Sequence, residues 1–346
     1  MPEKEDLSDV IKLISDIRQK KLYTSYDIAL RTEDILKTLI SERDWKNASE
    51  LMNLVKKRIR FLSESLPQEA TATNVMRHIL KVIREEYEIV AKRKVEGQSL
   101  HHIVRSNSDD NLDYTETLDS LKSTLLDHLS EYKTELETST ENIAAQASEH
   151  IHTNEIILTV GKSNSVEKFL KSAAENRVIN VIIVEQAPTY NGHEMARSLA
   201  KSNILTTVIP DTAVFAMMSR VNKVIIGTHT VLANGGLRAA SGVHGVALAA
   251  KHYSVPVLVL SHMYKFTPIH IGSHAQKEAF NTMASPANVI PYSSGPILNK
   301  VEVLNPVFDY VPPELVTLFI CHQGGNAPSY VYRLLSELYH QDDYNI

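Results

Sequence analysis

Cysteine is nearly absent from this sequence of 346 residues, and Cys321 is its single cysteine. One thiol excludes an intrachain disulfide and fits a reducing compartment, so we expect a protein of the cytoplasm, specifically the cytosol. No apolar run is long enough to cross a bilayer, and the charged N-terminal residues lack the apolar core of a signal peptide. A net charge of −5 gives no electrostatic reason to expect nucleic acid or membrane as the main partner.

A complete phosphate-binding loop is also missing. Gly161-Lys162-Ser163 follows a predicted strand and opens a predicted helix, as the end of such a loop does. The full pattern needs a glycine five residues before Gly161, but that position is Ile156, inside the strand. An ordinary strand-to-helix turn, capped by Ser163 or Ser165, explains these residues better.

The sequence has no complete metal-binding pattern either. His262, His270 and His274 lie close together in a predicted loop with Tyr264 and Lys265. Zinc sites favour cysteine and histidine at defined spacing, and here there is no cysteine and no helical i, i+4 pair. A solvated loop explains these histidines better, and we predict neither a metal site nor a cofactor.

Candidate acid–base groups lie near the ends of predicted strands. A histidine beside a carboxylate suits general acid–base catalysis, but no nucleophile or cofactor fingerprint accompanies them. Each also has a structural explanation as a helix-flanking or loop residue. The set is Glu185, His193, Glu194, Asp211, His229 and His244.

The N-terminal part of the chain has the hydrophobic period of α-helices. Four segments within residues 1–104 place apolar residues at helical spacing, with Ser25 as the predicted cap of the second, and predict a helical arm. Residues 105–113 are polar and turn-forming, which predicts a mobile loop. Residues 114–150 then predict one long helix that connects this arm to the rest of the chain.

From residue 151 the pattern changes to alternating strands and helices, which predicts a Rossmann-like α/β domain with a doubly wound parallel sheet over 151–346. Residues 261–313 are expected to form loops with one strand. The predicted strands are 155–160, 180–185, 204–209, 224–227, 257–260 and 315–321. The predicted helices are 165–176, 192–202, 212–219, 237–252 and 328–339. Ligands bind beyond the carboxyl ends of such strands, so any pocket should involve the loop 227–236.

The segment Val224-Ile-Ile-Gly-Thr-His-Thr-Val-Leu-Ala-Asn-Gly-Gly236 resembles a loop of one known family. Its members are the alpha, beta and delta regulatory subunits of eukaryotic translation initiation factor 2B and related isomerases of methylthioribose 1-phosphate or ribose 1,5-bisphosphate. The resemblance spans roughly residues 150–340 and, more loosely, the helical arm. It is strongest to the beta branch. The strings that carry it are 192–196, 215–223, 233–238, 247–252, 305–315, 324–330 and 336–340.

The positions that match the isomerase site hold other residues here. Gly161 stands where those enzymes carry a cysteine, Ala187 where they carry a phosphate-binding arginine, and His229 where they carry an aspartate. Ala239-Ala240 replaces an asparagine–lysine pair. Without the guanidinium and the lysine, the charge-assisted hydrogen bonds to phosphate cannot form. The loss of thiol and carboxylate removes the proton-transfer pair, so the resemblance implies a non-catalytic chain.

The resemblance implies a regulatory subunit of a guanine nucleotide exchange factor that acts on translation initiation factor 2. The implied partners are the alpha, gamma, delta and epsilon subunits, in a decamer with two copies of each. A further implied partner is the alpha subunit of initiation factor 2, whose phosphorylation the complex senses in stress. His152 and Asn154 match a beta–delta contact. Two alternatives stay open: a sugar-phosphate isomerase with an altered site, and a sensor that binds a nucleotide or sugar phosphate.

Overall fold

The computed structural model describes residues 7–22, 24–96, 114–270 and 280–346, without the side chains of 92–96. The chain divides into two compact units. The helical unit comprises residues 1–137 together with 335–346, and the α/β unit comprises residues 138–334. These limits differ from the predicted domains, because the last residues group with the helices and the long connecting helix is divided between the units. The predicted loop 105–113 lies outside the described residues.

Five helices build most of the helical unit, and each buries an apolar stripe at helical spacing. Leu13, Leu36, Val55, Ile79 and Leu125 are examples of the buried residues. The four segments predicted in the first 104 residues are confirmed as helices. The bounds are α1 Ser8–Arg18, α2 Ser25–Glu42, α3 Ala48–Ser65, α4 Thr71–Glu96 and α5 Leu121–Ala145, which continues into the α/β unit.

Two predictions about these helices are wrong. Thr24, not Ser25, caps α2: its hydroxyl accepts the Asp27 amide, and the Asp27 carboxylate accepts the Thr24 amide. Such a reciprocal box satisfies two amides that the helix leaves open. The single helix predicted over 114–150 begins only at Leu121 and is interrupted at Gln146, after which α6 spans Ala147–His150.

Polar contacts with α4 explain why the C-terminal residues belong to the helical unit. The Asp343 carboxylate is fully buried and binds the Arg84 guanidinium through both oxygens. Arg77 donates to the Asp343 carbonyl oxygen at 3.1 Å and to the Ile346 carbonyl oxygen at 3.2 Å. Buried charges need such partners, so these arginines hold the C-terminal segment against α4.

The α/β unit contains a seven-stranded sheet that is parallel except at one edge. Its order is β10-β9-β7-β4-β1-β2-β3, with β10 antiparallel to β9. Along its parallel strands this is the doubly wound order, as predicted. Residues such as Leu158, Val181 and Val259 are buried, as expected for strands covered on both faces. The strands are β1 Ile156–Val160, β2 Asn180–Val184, β3 Leu205–Ile209, β4 Lys223–Gly227, β7 Val257–Leu260, β9 Leu318–Cys321 and β10 Gly324–Asn326.

A second, three-stranded sheet corrects the prediction of a helix over 237–252. Leu237–Ala240 forms strand β6, which pairs antiparallel with β5 Thr230–Val231 and β8 Phe308–Val311. The alanines suggested a helix, but the strand pairing outweighs this weak propensity. Only Val243–His252 is helical. The strand expected within 261–313 is β8.

The remaining helices lie close to their predicted positions. They are α7 Asn164–Ala174, α8 Asn191–Lys201, α9 Val214–Met218, α10 Val243–His252 and α11 Val331–Leu338. Phe169, Leu199 and Ile225 meet in the core between helices and sheet. Among the described residues, no helix combines the length and the apolar character that a bilayer span requires.

Candidate functional site

The sheet reverses its winding between β1 and β4. The chain passes from β1 to β2 on one side, whereas β4 is followed by β7 on the other side. Ligands of doubly wound proteins bind in the crevice beyond the strand ends at such a point. The candidate site is therefore built by the residues after β1 and β4, which are 161–163 and 228–230, and by the segments that meet them.

Gly161 ends β1 with a left-handed backbone, φ +59°, which favours glycine. A Cβ built on Gly161 would lie 1.9 Å from the side-chain oxygen of Gln186, so Gln186 occupies the space beside this glycine. Gln186 follows β2 and precedes Ala187, whose amide donates to the Asp211 carboxylate at 2.7 Å. A side chain at position 161 would therefore collide with Gln186 unless Gln186 moved.

A side chain also lies close to the glycine that ends β4. A Cβ on Gly227 would lie 2.6 Å from the hydroxyl oxygen of Ser163, so a larger residue at position 227 would displace that side chain. Ser163 occupies the N-cap position of α7, but its side chain makes no capping hydrogen bond. Ser165, the other predicted cap, contacts the His262 ring instead. The predicted strand-to-helix turn is present, but the predicted serine cap is not.

A carboxylate occupies the N-terminus of α10. One oxygen of Asp309 accepts the amides of Gly242 at 2.7 Å and His244 at 3.1 Å. Helix N-termini attract anions, and in many α/β proteins that anion is a ligand phosphate. Here the anion is part of the chain, since Asp309 lies in β8 opposite Ala239. Sequence reasoning missed Asp309 because only the second sheet brings it to α10.

An adjoining cleft has a volume of about 310 Å³. Its described lining is mostly apolar, with Asp211 as the charged residue. A carboxylate repels phosphate, and the described lining contains no cationic side chain to attract one. The lining residues are Asp211, Thr212, Val214, Phe215, Gly242, Gly245, Val246 and Ala249.

His229, the residue with the strongest claim to a catalytic role, is half-buried after β4. Its Nδ1 lies 2.9 Å from the Thr230 hydroxyl, and its ring centre lies 4.9 Å from that of Phe308. The buried Arg238 guanidinium lies over the same Phe308 ring, 4.2 Å from its centre. The strand end thus carries a packed stack of aromatic and cationic side chains that the sequence did not predict.

The other acid–base candidates form surface contacts. Glu194 binds Lys162 at 3.0 Å, and Nε2 of His193 lies 3.4 Å from the Glu185 carboxylate. These pairs are substantially exposed, so each contributes little to stability. His244 contributes its backbone amide to the α10 terminus.

The predicted loop histidines do not come together as a group. His262 is buried between the hydroxyls of Ser139 and Ser165, each 3.0 Å from one ring nitrogen, and its ring stacks on Tyr264. Burial lowers the pKa of His262 to about 3, with help from nearby cationic groups. His270 is exposed, and His274 lies outside the described residues. Within the described ranges no cluster of three possible metal ligands occurs.

The proposed subunit-contact residues are both at the surface. His152 and Asn154 are exposed in the turn before β1, where the Asn154 amide donates to the Val178 carbonyl oxygen.

Aromatic residues are also concentrated in the last fifth of the sequence. Of these, Phe319 is core, whereas Tyr292, Tyr330 and Tyr332 are exposed. Exposure permits a subunit contact but does not test it, so the contact assigned to His152 and Asn154 stays a prediction.

The strand order and its reversal point define a doubly wound α/β protein. The family model described as the Initiation factor 2 subunit family matches residues 21–328, and the chain belongs to this family. A relative from Dictyostelium discoideum named translation initiation factor eIF2B subunit beta is 39% identical, covering 95% of each chain. The relative of the same name from Schizosaccharomyces pombe is 34% identical, covering 96% of each.

More distant relatives and solved structures share the fold. Ribose 1,5-bisphosphate isomerase from Pyrococcus furiosus is 26% identical, covering 95% of this chain and 94% of that protein. The crystal structure of eIF2B beta from Chaetomium thermophilum aligns with a TM-score of 0.73 at 23% identity, covering 97% of this chain and 92% of that one. The tetrameric eIF2B-beta2-delta2 complex from C. thermophilum contains a chain with a TM-score of 0.70 at 23% identity, covering 95% and 94%. At these identities the structures show the fold alone.

Proposed function

We propose that this chain is a non-catalytic regulatory subunit of the beta type in the exchange factor that promotes GDP–GTP exchange on translation initiation factor 2. The observation that carries the proposal is the alignment with two relatives named as beta subunits, over nearly their whole lengths. Side chains at the strand ends agree with it, since Gln186 lies beside Gly161, Ser163 lies beside Gly227, and Asp309 accepts two amides at the N-terminus of α10.

The residue replacements give further support. Gly161, Ala187, His229 and Ala239-Ala240 stand where the resembling isomerases carry their thiol, arginine, carboxylate and asparagine–lysine pair. An arginine and a lysine bind phosphate by charge-assisted hydrogen bonds, which glycine and alanine cannot make. The chain then acts by binding and by shifting the population of conformational states.

The proposed partners are the alpha, gamma, delta and epsilon subunits, in a cytosolic decamer, and the alpha subunit of initiation factor 2, whose phosphorylation is sensed. The beta2-delta2 assembly of the structural relative supports the delta subunit as a partner. His152 and Asn154 are proposed contact residues for it.

Native affinity purification of the chain from cytosol, with mass spectrometry of the bound proteins, tests this function. We expect the four other exchange-factor subunits and initiation factor 2. Elution of the chain alone, or only with itself, would overturn the proposal. Turnover of ribose 1,5-bisphosphate by the pure chain would instead establish the isomerase alternative.

A further inference from the structure

A short buried turn follows β7, and we call it the junction turn, residues 262–265. His262 is 3% exposed and Tyr264 is 5% exposed, and their rings stack 5.1 Å apart with 7° between their planes. The Lys265 amide closes the turn by donating to the His262 carbonyl oxygen at 3.0 Å. A buried and hydrogen-bonded turn of this kind can hold neighbouring elements in fixed positions.

The junction turn contacts the last part of α5. Nδ1 of His262 lies 3.0 Å from the hydroxyl oxygen of Ser139, which is itself buried. Helix α5 begins in the helical unit, but its residues from Thr138 onwards belong to the α/β unit. Ile143, one turn further along, is part of the core of the α/β unit. The His262 ring therefore contacts α5 close to the residue at which this helix enters the α/β unit.

Two further contacts lead from the junction turn to the candidate site. Nε2 of His262 lies 3.0 Å from the hydroxyl oxygen of Ser165, in the first turn of α7. The Lys265 ammonium donates to the Thr228 carbonyl oxygen at 2.8 Å, and Thr228 directly follows β4. The junction turn thus contacts the helix that follows β1 and the residue that follows β4, at the two strand ends that define the candidate site.

The chemistry of the His262 ring makes its two serine contacts depend on each other. Burial lowers the pKa of His262 to about 3, so the ring is neutral at physiological pH. A neutral imidazole has one N–H donor and one acceptor nitrogen, so the ring donates to one hydroxyl and accepts from the other. Hydrogen bonds in such a chain polarise one another, so the loss of one partner weakens the bond to the other.

We propose that the junction turn couples the end of α5 to both strand ends of the candidate site. A displacement of α5 at Ser139 weakens the bond between His262 and Ser165 and, through the turn, the bond from Lys265 to Thr228. Coupling between two positions is reciprocal, so a change at Ser165 weakens the contact with α5 to the same degree. This inference goes beyond the proposed function and does not depend on it, because every group involved belongs to this one chain.

Hydrogen exchange of single amides in the whole chain tests the coupling. The Glu167 amide donates to the Ser163 carbonyl oxygen in the first turn of α7, and the His229 amide, after β4, donates to the Arg238 carbonyl oxygen. Exchange of such amides reports how often the local structure opens. Ser139→Ala removes the hydroxyl on α5, and both amides should then exchange about fivefold faster, as expected for the loss of one hydrogen bond.

Two other variants separate the contacts of the turn. Ser130→Ala is the matched control, because Ser130 lies on the same helix in an exposed position, and it should leave both exchange rates within about twofold. Lys265→Met removes the donor to Thr228 and keeps both contacts of His262. It should accelerate exchange at His229 and leave exchange at Glu167 unchanged.

The reverse direction is tested with Ser165→Ala. By reciprocity, the amides of residues 140–145 in α5 should exchange faster by about the factor that Ser139→Ala produces at Glu167. The double variant Ser139→Ala/Ser165→Ala should show less than the product of the two single effects, because either substitution already weakens the same chain of hydrogen bonds.

Purely local contacts would give a different pattern. Ser139→Ala would then accelerate exchange in α5 alone, Ser165→Ala would accelerate it in α7 alone, and the two effects would multiply in the double variant. That pattern overturns the inference and leaves the proposed function intact. An effect of Ser130→Ala equal to that of Ser139→Ala would also overturn it, because the coupling would then not depend on the contact with His262.

A measurement on the wild-type chain keeps the inference testable if a variant does not fold. Nitrogen-15 spectra of the histidine rings distinguish a protonated from an unprotonated ring nitrogen. We expect His262 to show one nitrogen of each kind at every pH from about 5 to 8, because its pKa is about 3. A ring that takes up a second proton in this range would donate from both nitrogens, and the inference would be overturned.

Discussion

The roles of some single residues in this chain follow from local sequence, whereas the roles of others depend on tertiary packing. Thr24 and Asp27 form a capping box that local sequence alone supports. His262, in contrast, looks like an ordinary loop histidine in the sequence. Its burial between two serines and against Tyr264 depends on residues 123 and 97 positions away.

The first prediction at this scale concerns acid. Burial lowers the pKa of His262 in the folded chain from the ordinary value of 6.5 to about 3. Between pH 6.5 and pH 3, the unfolded chain therefore binds a proton at this residue that the folded chain does not bind. Lys265, His322 and Lys168 face the ring and act in the same direction. Stability from this group is present above pH 6.5 and is lost as the pH falls towards 3. We expect a loss of about 2 kcal/mol between pH 6.5 and 5.

Urea unfolding followed by circular dichroism at several pH values measures this loss. His262→Gln should remove the contribution of the His262 ring to the pH dependence of the unfolding free energy. His270→Gln, a substitution at an exposed position, is the control. If the wild type and His262→Gln lose stability in parallel on acidification, the ring is not the source.

The second prediction separates two neighbouring positions. Thr24→Ala removes the side-chain acceptor of the α2 capping box and should cost about 1 kcal/mol of unfolding free energy. Ser25→Ala, at the first helical position, should change it by less than about 0.5 kcal/mol. Trp45, the only tryptophan, lies in the helical unit and reports its unfolding by fluorescence. A larger effect at Ser25 would contradict the observed cap.

At the scale of elements, the short C-terminal segment is held by buried charge. Asp343 is fully buried and faces Arg84, with Lys56 3.6 Å away. Removing one member of such a pair leaves the other charge buried without compensation. This is why a segment far from α4 in sequence belongs to the same compact unit.

Asp343→Ala should therefore destabilise the helical unit by about 3 kcal/mol or more, as measured by urea unfolding with Trp45 fluorescence. Asp342→Ala is the matched control, since this neighbouring side chain is 73% exposed. The control should change the unfolding free energy by less than about 0.5 kcal/mol. Equal effects of the two substitutions would mean that the buried pair contributes little.

Element assignments also show where local patterns are insufficient. The strand and helix period predicted all six major strands of the parallel sheet, because runs such as Val224-Ile225-Ile226 have few other stable arrangements. The same reasoning placed Leu237–Ala240 in a helix, although these residues pair with Thr230 and Phe308 in the second sheet. The pairing with β8 joins residues about 70 positions apart, so a local pattern does not show it.

At the scale of the whole molecule, the candidate site predicts how the chain responds to small ligands, because its own side chains lie at the ends of β1 and β4 and a carboxylate occupies the N-terminus of α10. A ligand that binds only the folded state raises the unfolding temperature. We expect millimolar inorganic phosphate, nucleotides or ribose 1,5-bisphosphate to leave the thermal unfolding temperature unchanged within one degree. The ribose 1,5-bisphosphate isomerase named among the relatives is the positive control for its substrate. A rise that saturates with ligand would support the sensor alternative.

The sequence by itself determined the alternation of strands and helices, the parallel order of the core and the membership in the family. These follow from hydrophobic period and from strings such as 305–315, which are readable residue by residue. Through the resemblance alone, it also offered Gly161, Ala187 and His229 as candidate replacements of isomerase site residues.

Only the tertiary structure decided which side chains lie at the strand ends and where the chain's units divide. Gln186, Asp309 and Asp343 act through contacts with residues distant in sequence. Such contacts cannot be predicted from hydrophobic period or composition. A polar side chain gives the same sequence pattern whether it faces water or a buried helix end. Their roles become visible only when packing brings the two segments together.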